Sequence, residues 1–201
     1  NSSMALLAAA DEVETKARQW AAHTLEAPEA DLVLKEGAFE VVGTDRRVTL
    51  LEIARIARES PPVEGLPEDV DAELTVEGAP SAYPNGVHYC ELEVDPATGV
   101  VAIDRYVSVN DFGTIVNPML TRGQIQGGIV QGIGQALYEN MVYDDEGQLL
   151  SGSFMDYTLP RADGVPAIQV EFIEVPATTN PLGAKGCGEA GATGAPPTVM
   201  N

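Results

Sequence analysis

Hydrophobic positions follow two different periods along this chain, and the switches between them mark out its elements. In residues 4–26, Leu6, Val13, Ala17, Trp20, Ala21 and Leu25 fall roughly on one side of a helical winding, which predicts an amphipathic helix. DLVLKEGAFEVV (31–42) alternates around Glu36-Gly37 and predicts a hairpin. Helical spacing returns in VTLLEIARIAR (48–58). From Glu59 to Pro84 proline and acid dominate, and ESPPVEGLPEDVDAE predicts a solvated loop before an extended segment. VHYCELEVDPATGVVAIDRYVSV (87–109) predicts the clearest hairpin, its apolar runs flanking Asp95-Pro96-Ala97-Thr98-Gly99, where Pro and Gly suit a turn. The polar loop DFGTIVNP (111–118) leads to a helix over about 121–138, then a turn at 144–147. Extended stretches are expected at about 149–158 and 167–174. A Gly-rich loop begins near Pro181, with no packed element expected after it.

Hairpins and helices mixed without alternating βαβ units predict an α+β fold, with a mixed sheet, β-hairpins and packed helices. Two portions are expected, a helix–hairpin–helix part over 1–80 and a second part over 81–201. The opening within a helix and the close on PPTVMN read as the cut edges of something larger.

Two stretches carry unusual chemistry. RGQIQGGIVQGIGQALYE (122–139) holds glycines at 123, 127, 128, 132 and 134, each costing about 1 kcal/mol against Ala in a helix. Helical winding places Gln124, Gly127, Gly128, Gln131 and Gln135 on one stripe, with Ile125, Ile129, Ile133, Ala136 and Leu137 opposite. Either the glycines let another helix approach closely, or the amide stripe lies against a polar ligand. The second stretch, KGCGEAGATGAPP (185–197), sets one acid, Glu189, among bare backbone. Its Gly186-to-Gly191 spacing matches the dinucleotide fingerprint GxGxxG, but the strand-like IQVEFIE (168–174) ends more than ten residues earlier. That motif needs a strand running into it within a βαβ unit, so the nicotinamide reading is rejected. Two readings stay open. Glu189 is an exposed acid in a surface loop, or the loop brings peptide groups to a ligand, with Lys185 meeting a negative charge and Glu189 serving as general base.

Composition changes this picture only at the margins. A formal charge of −20 disfavours nucleic-acid and anionic-membrane binding, which need a basic surface, yet leaves room for an anionic ligand held by a few local donors. Cys90 and Cys187 form no metal-ligand spacing, and His23 and His88 have no acid or thiol cluster around them, so all four read as structural. Without a disulfide framework a reducing compartment, the cytoplasm, is expected. MALLAAA runs straight into DEVETKAR and reads as a helix start, not a signal peptide, and no run approaches a membrane span.

Taken together, GQIQGGIVQGIGQALYE and, about fifty residues later, PLGAKGCGEAGATGAPP resemble the molybdenum hydroxylases. That family includes aldehyde oxidases, xanthine dehydrogenases and carbon-monoxide-dehydrogenase-type enzymes. GVHYCELEVDPATG resembles the family's hairpin, NDFGTIVNP its cofactor-side loop, and SGSFMDYTLPRADGVP the segment between the two motifs. The wording is most similar to bacterial large chains of the carbon-monoxide-dehydrogenase type. The likeness covers nearly the whole chain but only the C-terminal part of such a subunit, the second half of its molybdopterin-binding domain.

The resemblance implies an oxidoreductase that binds molybdopterin cytosine dinucleotide and oxidises or hydroxylates a small substrate with water-derived oxygen. Glu189 matches the family's catalytic base. Lys185, Gly186, Cys187 and Gly188 match backbone along the pterin, Gln124 a glutamine near the metal, and Gln131 a further lining position. Asp111 and Asn117 match the loop facing the cofactor. No residue here is implied as a direct metal ligand, since the cofactor's dithiolene supplies those bonds. A [2Fe-2S] subunit, an FAD subunit and the remainder of the large subunit are the implied partners, and the isolated fragment is expected to be inactive. Cys187 stands where many relatives have Val or another small residue, and is expected to be inert packing. The second reading is a non-catalytic scaffold domain that keeps the fold.

Overall fold

The computed structural model describes residues 2–78 and 80–201. It divides into two compact units, Asn1–Gly78 and Ala79–Asn201. In the first, helix α1 (Ser2–Thr24) precedes strands β1 (Leu32–Lys35), β2 (Ala38–Val41) and β3 (Arg47–Thr49), and helix α2 (Leu50–Glu59) follows. The strands form an antiparallel sheet in the order β1-β2-β3. Glu36 and Gly37 both take positive φ (49° and 77°), the conformation that lets a two-residue turn follow the natural twist of the hairpin. Trp20, Phe39 and Ile53 anchor this unit's core, and the Trp20 indole donates to the Pro67 carbonyl at 2.9 Å, tying down the Pro-rich segment. The helical period predicted from 48 starts two residues later, because Val48 pairs with Phe39 in the sheet. Thr49 then becomes a cap: its hydroxyl accepts from the Glu52 N–H at 3.2 Å while the Glu52 carboxylate accepts from the Thr49 N–H at 2.9 Å.

The second unit is built on strands β4 (Asn85–Val94), β5 (Val101–Asp111) and β6 (Ile168–Phe172) and helices α3 (Pro118–Leu137) and α4 (Ala190–Met200). β4 and β5 form the predicted hairpin, closed by Asp95, whose carboxylate accepts from Ala97 N–H and the Thr98 hydroxyl, and by Gly99 at φ 75°. β6 lies parallel to β5, with α3 in the connection between them. The mixed sheet and the α+β class are as read from the sequence. One crossover of the βαβ kind is nevertheless present, which the sequence order did not suggest, because the long stretch after α3 hides the return strand.

Three expectations need correction. α3 starts at Pro118, not near 121, since the Asn117 side chain accepts from Leu120 N–H at 3.1 Å and Pro118 fits the first helical position. Residues 149–158 are not extended beyond one bridge between Tyr143 and Leu149: the Ser153 hydroxyl binds the Asp156 carboxylate, and Tyr157 N–H returns to the Ser153 carbonyl. The Gly-rich loop is followed by a packed helix, α4, despite Pro196 and Pro197 within it. Ala195 and Val199 of α4 join Tyr106, Ile125, Ile129, Ile133 and Val170 in this unit's core, and that burial offsets the backbone bonds the prolines remove. Among the described residues no helix is long and apolar enough to cross a membrane.

Candidate functional site

The Gly-rich loop is stitched to the end of β5. Gly113 (φ 63°) and Gly183 (φ 65°) meet so closely that a Cβ on Gly113 would stand 2.0 Å from the Gly183 carbonyl oxygen. That carbonyl accepts from Thr114 N–H at 3.0 Å and Ala177 N–H at 2.8 Å, and Lys185 N–H donates to the Phe112 carbonyl at 2.8 Å. Asp111 gathers the strands' ends: one carboxylate oxygen accepts from Gly113 N–H (2.9 Å) and Val175 N–H (3.1 Å), the other pairs with the Lys185 ammonium. Both side chains are little exposed, 11% for Lys185 and 14% for Asp111. The Lys185 hydrogen bond, helped by the backbone donors, holds the Asp111 carboxyl down at about 2. The charge expected to meet a ligand is therefore neutralised inside the protein, and the pair works as a clamp on the loop.

Beyond the clamp the backbone opens. A cleft of about 530 Å³ lies between the start of β4 (Pro84, Asn85, Gly86, His88), Asn110 at the end of β5, the loop at Gly186, Gly188 and Glu189, and the first turns of α4 at Ala190, Thr193 and Gly194. A Cβ placed on Gly186 or Gly188 would meet nothing within 4 Å, so their peptide groups face open space. Gln124 reaches from α3 to fix the loop, its amide donating to the Gly188 carbonyl at 2.8 Å. Glu189 takes the N-cap position of α4 without a side-chain capping bond, and its carboxylate is exposed on the cleft.

Other predicted residues are placed differently. Cys187 packs against the core between the two open glycines. Gln131 is exposed and does not line the cleft, and Asn117 caps α3. The glycines of α3 divide. Gly128 and Gly132 lie against Gly191, Ala192, Ala195 and Pro196 of α4, whereas Gly123 and Gly127 have open space beside them. Close helix packing thus accounts for Gly128 and Gly132, Gly134 lies against Glu139 and Pro160, and of the stripe's amides Gln124 reaches the loop.

Sequence reasoning missed one wall of the cleft. His88 and Asn110 point inward on β4 and β5, with Ser108 and Tyr106 on the same face of β5. The His88 Nδ1 lies 2.8 Å from the Tyr106 hydroxyl, and the Asn110 amide donates to Ser108 Oγ at 2.7 Å. Burial lowers the His88 pKa and raises that of Tyr106 to about 12, so both are neutral near pH 7. The available signal was the alternation itself: Tyr106, Ser108 and Asn110 occupy the inward phase of a strand, where apolar residues are the rule.

A family model described as a molybdopterin cofactor-binding domain matches residues 1–166, ending before the Gly-rich loop. The chain is 42% identical over 185 residues to the 6-hydroxypseudooxynicotine dehydrogenase complex subunit gamma of Paenarthrobacter nicotinovorans, covering 89% of this chain and 23% of that one. It is 36% identical over 195 residues to the carbon monoxide dehydrogenase large chain of Hydrogenophaga pseudoflava, covering 96% and 24%. A crystal structure of Cu,Mo-CO dehydrogenase in its carbon monoxide reduced state superposes with a TM-score of 0.85 at 33% identity, over 100% of this chain and 25% of that one. The chain thus spans about a quarter of the length of the relatives it matches.

Proposed function

Because this chain belongs to the molybdopterin cofactor-binding domain family, we propose that its cleft holds part of the molybdopterin cofactor, as the cytosine dinucleotide, with Glu189 as general base. The observation that carries this reading is the juxtaposition of open backbone at Gly186 and Gly188 with the Glu189 carboxylate on one cleft. The residues fit such a group. A side chain at either glycine would project into the space it needs, so the bare backbone leaves room for the group. Asn85 and Thr193 add neutral donors, and among the described residues no Lys or Arg lines the cleft. What this chain offers an anionic group here is a set of neutral donors.

When bound, the cofactor supplies two-electron redox chemistry. Gly186 and Gly188 hold it by backbone, Gln124 fixes the loop through the Gly188 carbonyl, and the Asp111–Lys185 clamp keeps the loop in register with β5. Glu189 takes up, on its carboxylate oxygen, the proton released as water-derived oxygen attacks an electron-poor carbon of the substrate. The remainder of a large subunit, an iron–sulfur subunit and an FAD subunit complete the enzyme in this reading, set in the cytoplasm. A 201-residue piece alone is expected to be inactive.

The test uses the full-length chain expressed with its neighbouring subunits. Molybdenum near stoichiometric, with CMP released by acid, is expected. Glu189→Gln is expected to keep that molybdenum and lose about a hundred- to ten-thousand-fold in turnover. A fully loaded Glu189→Gln enzyme turning over like the parent removes the base assignment. A parent without molybdenum supports the scaffold reading instead.

A further inference from the structure

We infer that His88 hydrogen-bonds the group held in the cleft, donating from Nε2 to one of its anionic oxygens. The inference rests on the cofactor reading above and adds a residue on the wall opposite the Gly-rich loop. Among the described residues no Lys or Arg lines the cleft, so what this chain offers to anionic oxygens there is neutral donors, and His88 is one of the few side chains able to supply one.

The ring is held for that task on both sides. Tyr106, 0% exposed, meets it edge-on at 84° with its hydroxyl 2.8 Å from Nδ1. Tyr106 keeps its proton at any physiological pH, since burial moves its pKa to about 12. We take the tautomer in which the Tyr106 O–H donates to Nδ1 and the ring proton sits on Nε2, on a ring that also has the Asn110 side chain beside it. On the other side the ring is seated against Gly194 of α4. A Cβ there would stand 2.5 to 2.8 Å from Cε1, Nδ1 and Nε2, so only glycine leaves room for it. The Thr198 hydroxyl donates to the Gly194 carbonyl at 2.7 Å and fixes that turn. A glycine inside a helix and a half-buried imidazole are each unfavourable in isolation. A hydrogen-bonding role at the cleft gives both one cause.

The test compares His88→Gln with His88→Met in the full-length chain with its partner subunits. The two side chains are similar in volume and flexibility, but only Gln can donate. The readouts are molybdenum per chain after purification, the rate of molybdenum loss on dialysis, and the thermal unfolding midpoint. His88→Met is expected to lose molybdenum at least tenfold faster than the parent, and His88→Gln to stay within about threefold of it. Tyr106→Phe, which keeps His88 but frees the ring, is expected to fall between them and carries the test if the His88 variants do not fold. Equal retention by Gln and Met variants of a molybdenum-loaded parent overturns the inference alone. Equal loss by both, with Tyr106→Phe like the parent, also overturns it, since the ring would then matter only for packing. A parent without molybdenum overturns the cofactor reading itself.

Discussion

Gly191→Ala, set against Gly188→Ala, separates the two uses this chain makes of glycine. A Cβ on Gly191 would stand 2.4 Å from the Ile125 carbonyl oxygen, 2.8 Å from Ile129 N and 3.1 Å from the Gly128 carbonyl carbon, all backbone of α3. Backbone cannot rotate away as a side chain can, so α4 must withdraw from α3 by about 1 Å, a gap that forfeits a quarter to a half of each contact's dispersion energy. The contacts concerned involve Ile125, Ile129, Ile133, Ala195 and Val199, the centre of this unit's core. Overpacking of this kind costs about 2–3 kcal/mol. Gly188, with nothing within 4 Å and no positive φ, accepts a methyl group without strain. Its replacement is expected to change stability by no more than about 1 kcal/mol, in the stabilising direction through the unfolded chain. Urea unfolding of the 201-residue chain, followed by far-ultraviolet circular dichroism, measures both. In the full-length protein the order reverses for ligand binding: Gly188→Ala fills the cradle and lowers molybdenum content while the fold is intact. Equal stability of the two variants would refute the packing argument, and undiminished molybdenum in Gly188→Ala would refute the cradle.

Two further predictions concern the loop's supports. Asp111 has a folded pKa of about 2, below the ~3.9 of an unfolded chain. Its contribution to stability is therefore present above ~3.9 and is lost as the pH falls towards 2. Lys185→Met removes the first cause of that depression, so acid unfolding should begin at higher pH than in the parent. An unchanged acid transition would show that the pair does not couple to folding. Asn117→Ala removes a helix cap and is expected to cost about 1 kcal/mol with molybdenum content unchanged. Metal loss at undiminished stability would instead give Asn117 a direct cofactor role.

Much of the fold was legible because its signals are local. The β4–β5 hairpin follows from alternation on either side of a turn whose Asp95 and Gly99 act within five residues of one another. α1 and α2 follow from helical spacing, although that spacing missed the Thr49–Glu52 cap that sets where α2 begins. α4 was illegible for the same reason: its prolines, Pro196 and Pro197, and the glycines in and before it disfavour a helix locally. Only burial of Ala195 and Val199 against α3 overrides that local preference. The parallel pairing of β5 with β6 also depends on partners about sixty residues apart, such as Tyr106 with Ile168.

The candidate site divides along the same line. By itself the sequence determined that residues 185–189 expose backbone around one acid, because glycine content is a local property. What surrounds that acid was decided only in three dimensions. Lys185 finds Asp111 across 74 positions, Gln124 finds the Gly188 carbonyl across 64, and His88 meets Gly194 from a strand whose neighbours in sequence give no hint of it. Charge, hydrogen-bonding capacity and room for a ring are set by which groups end up within a few ångströms. No spacing along the chain encodes that until the helices and strands have packed.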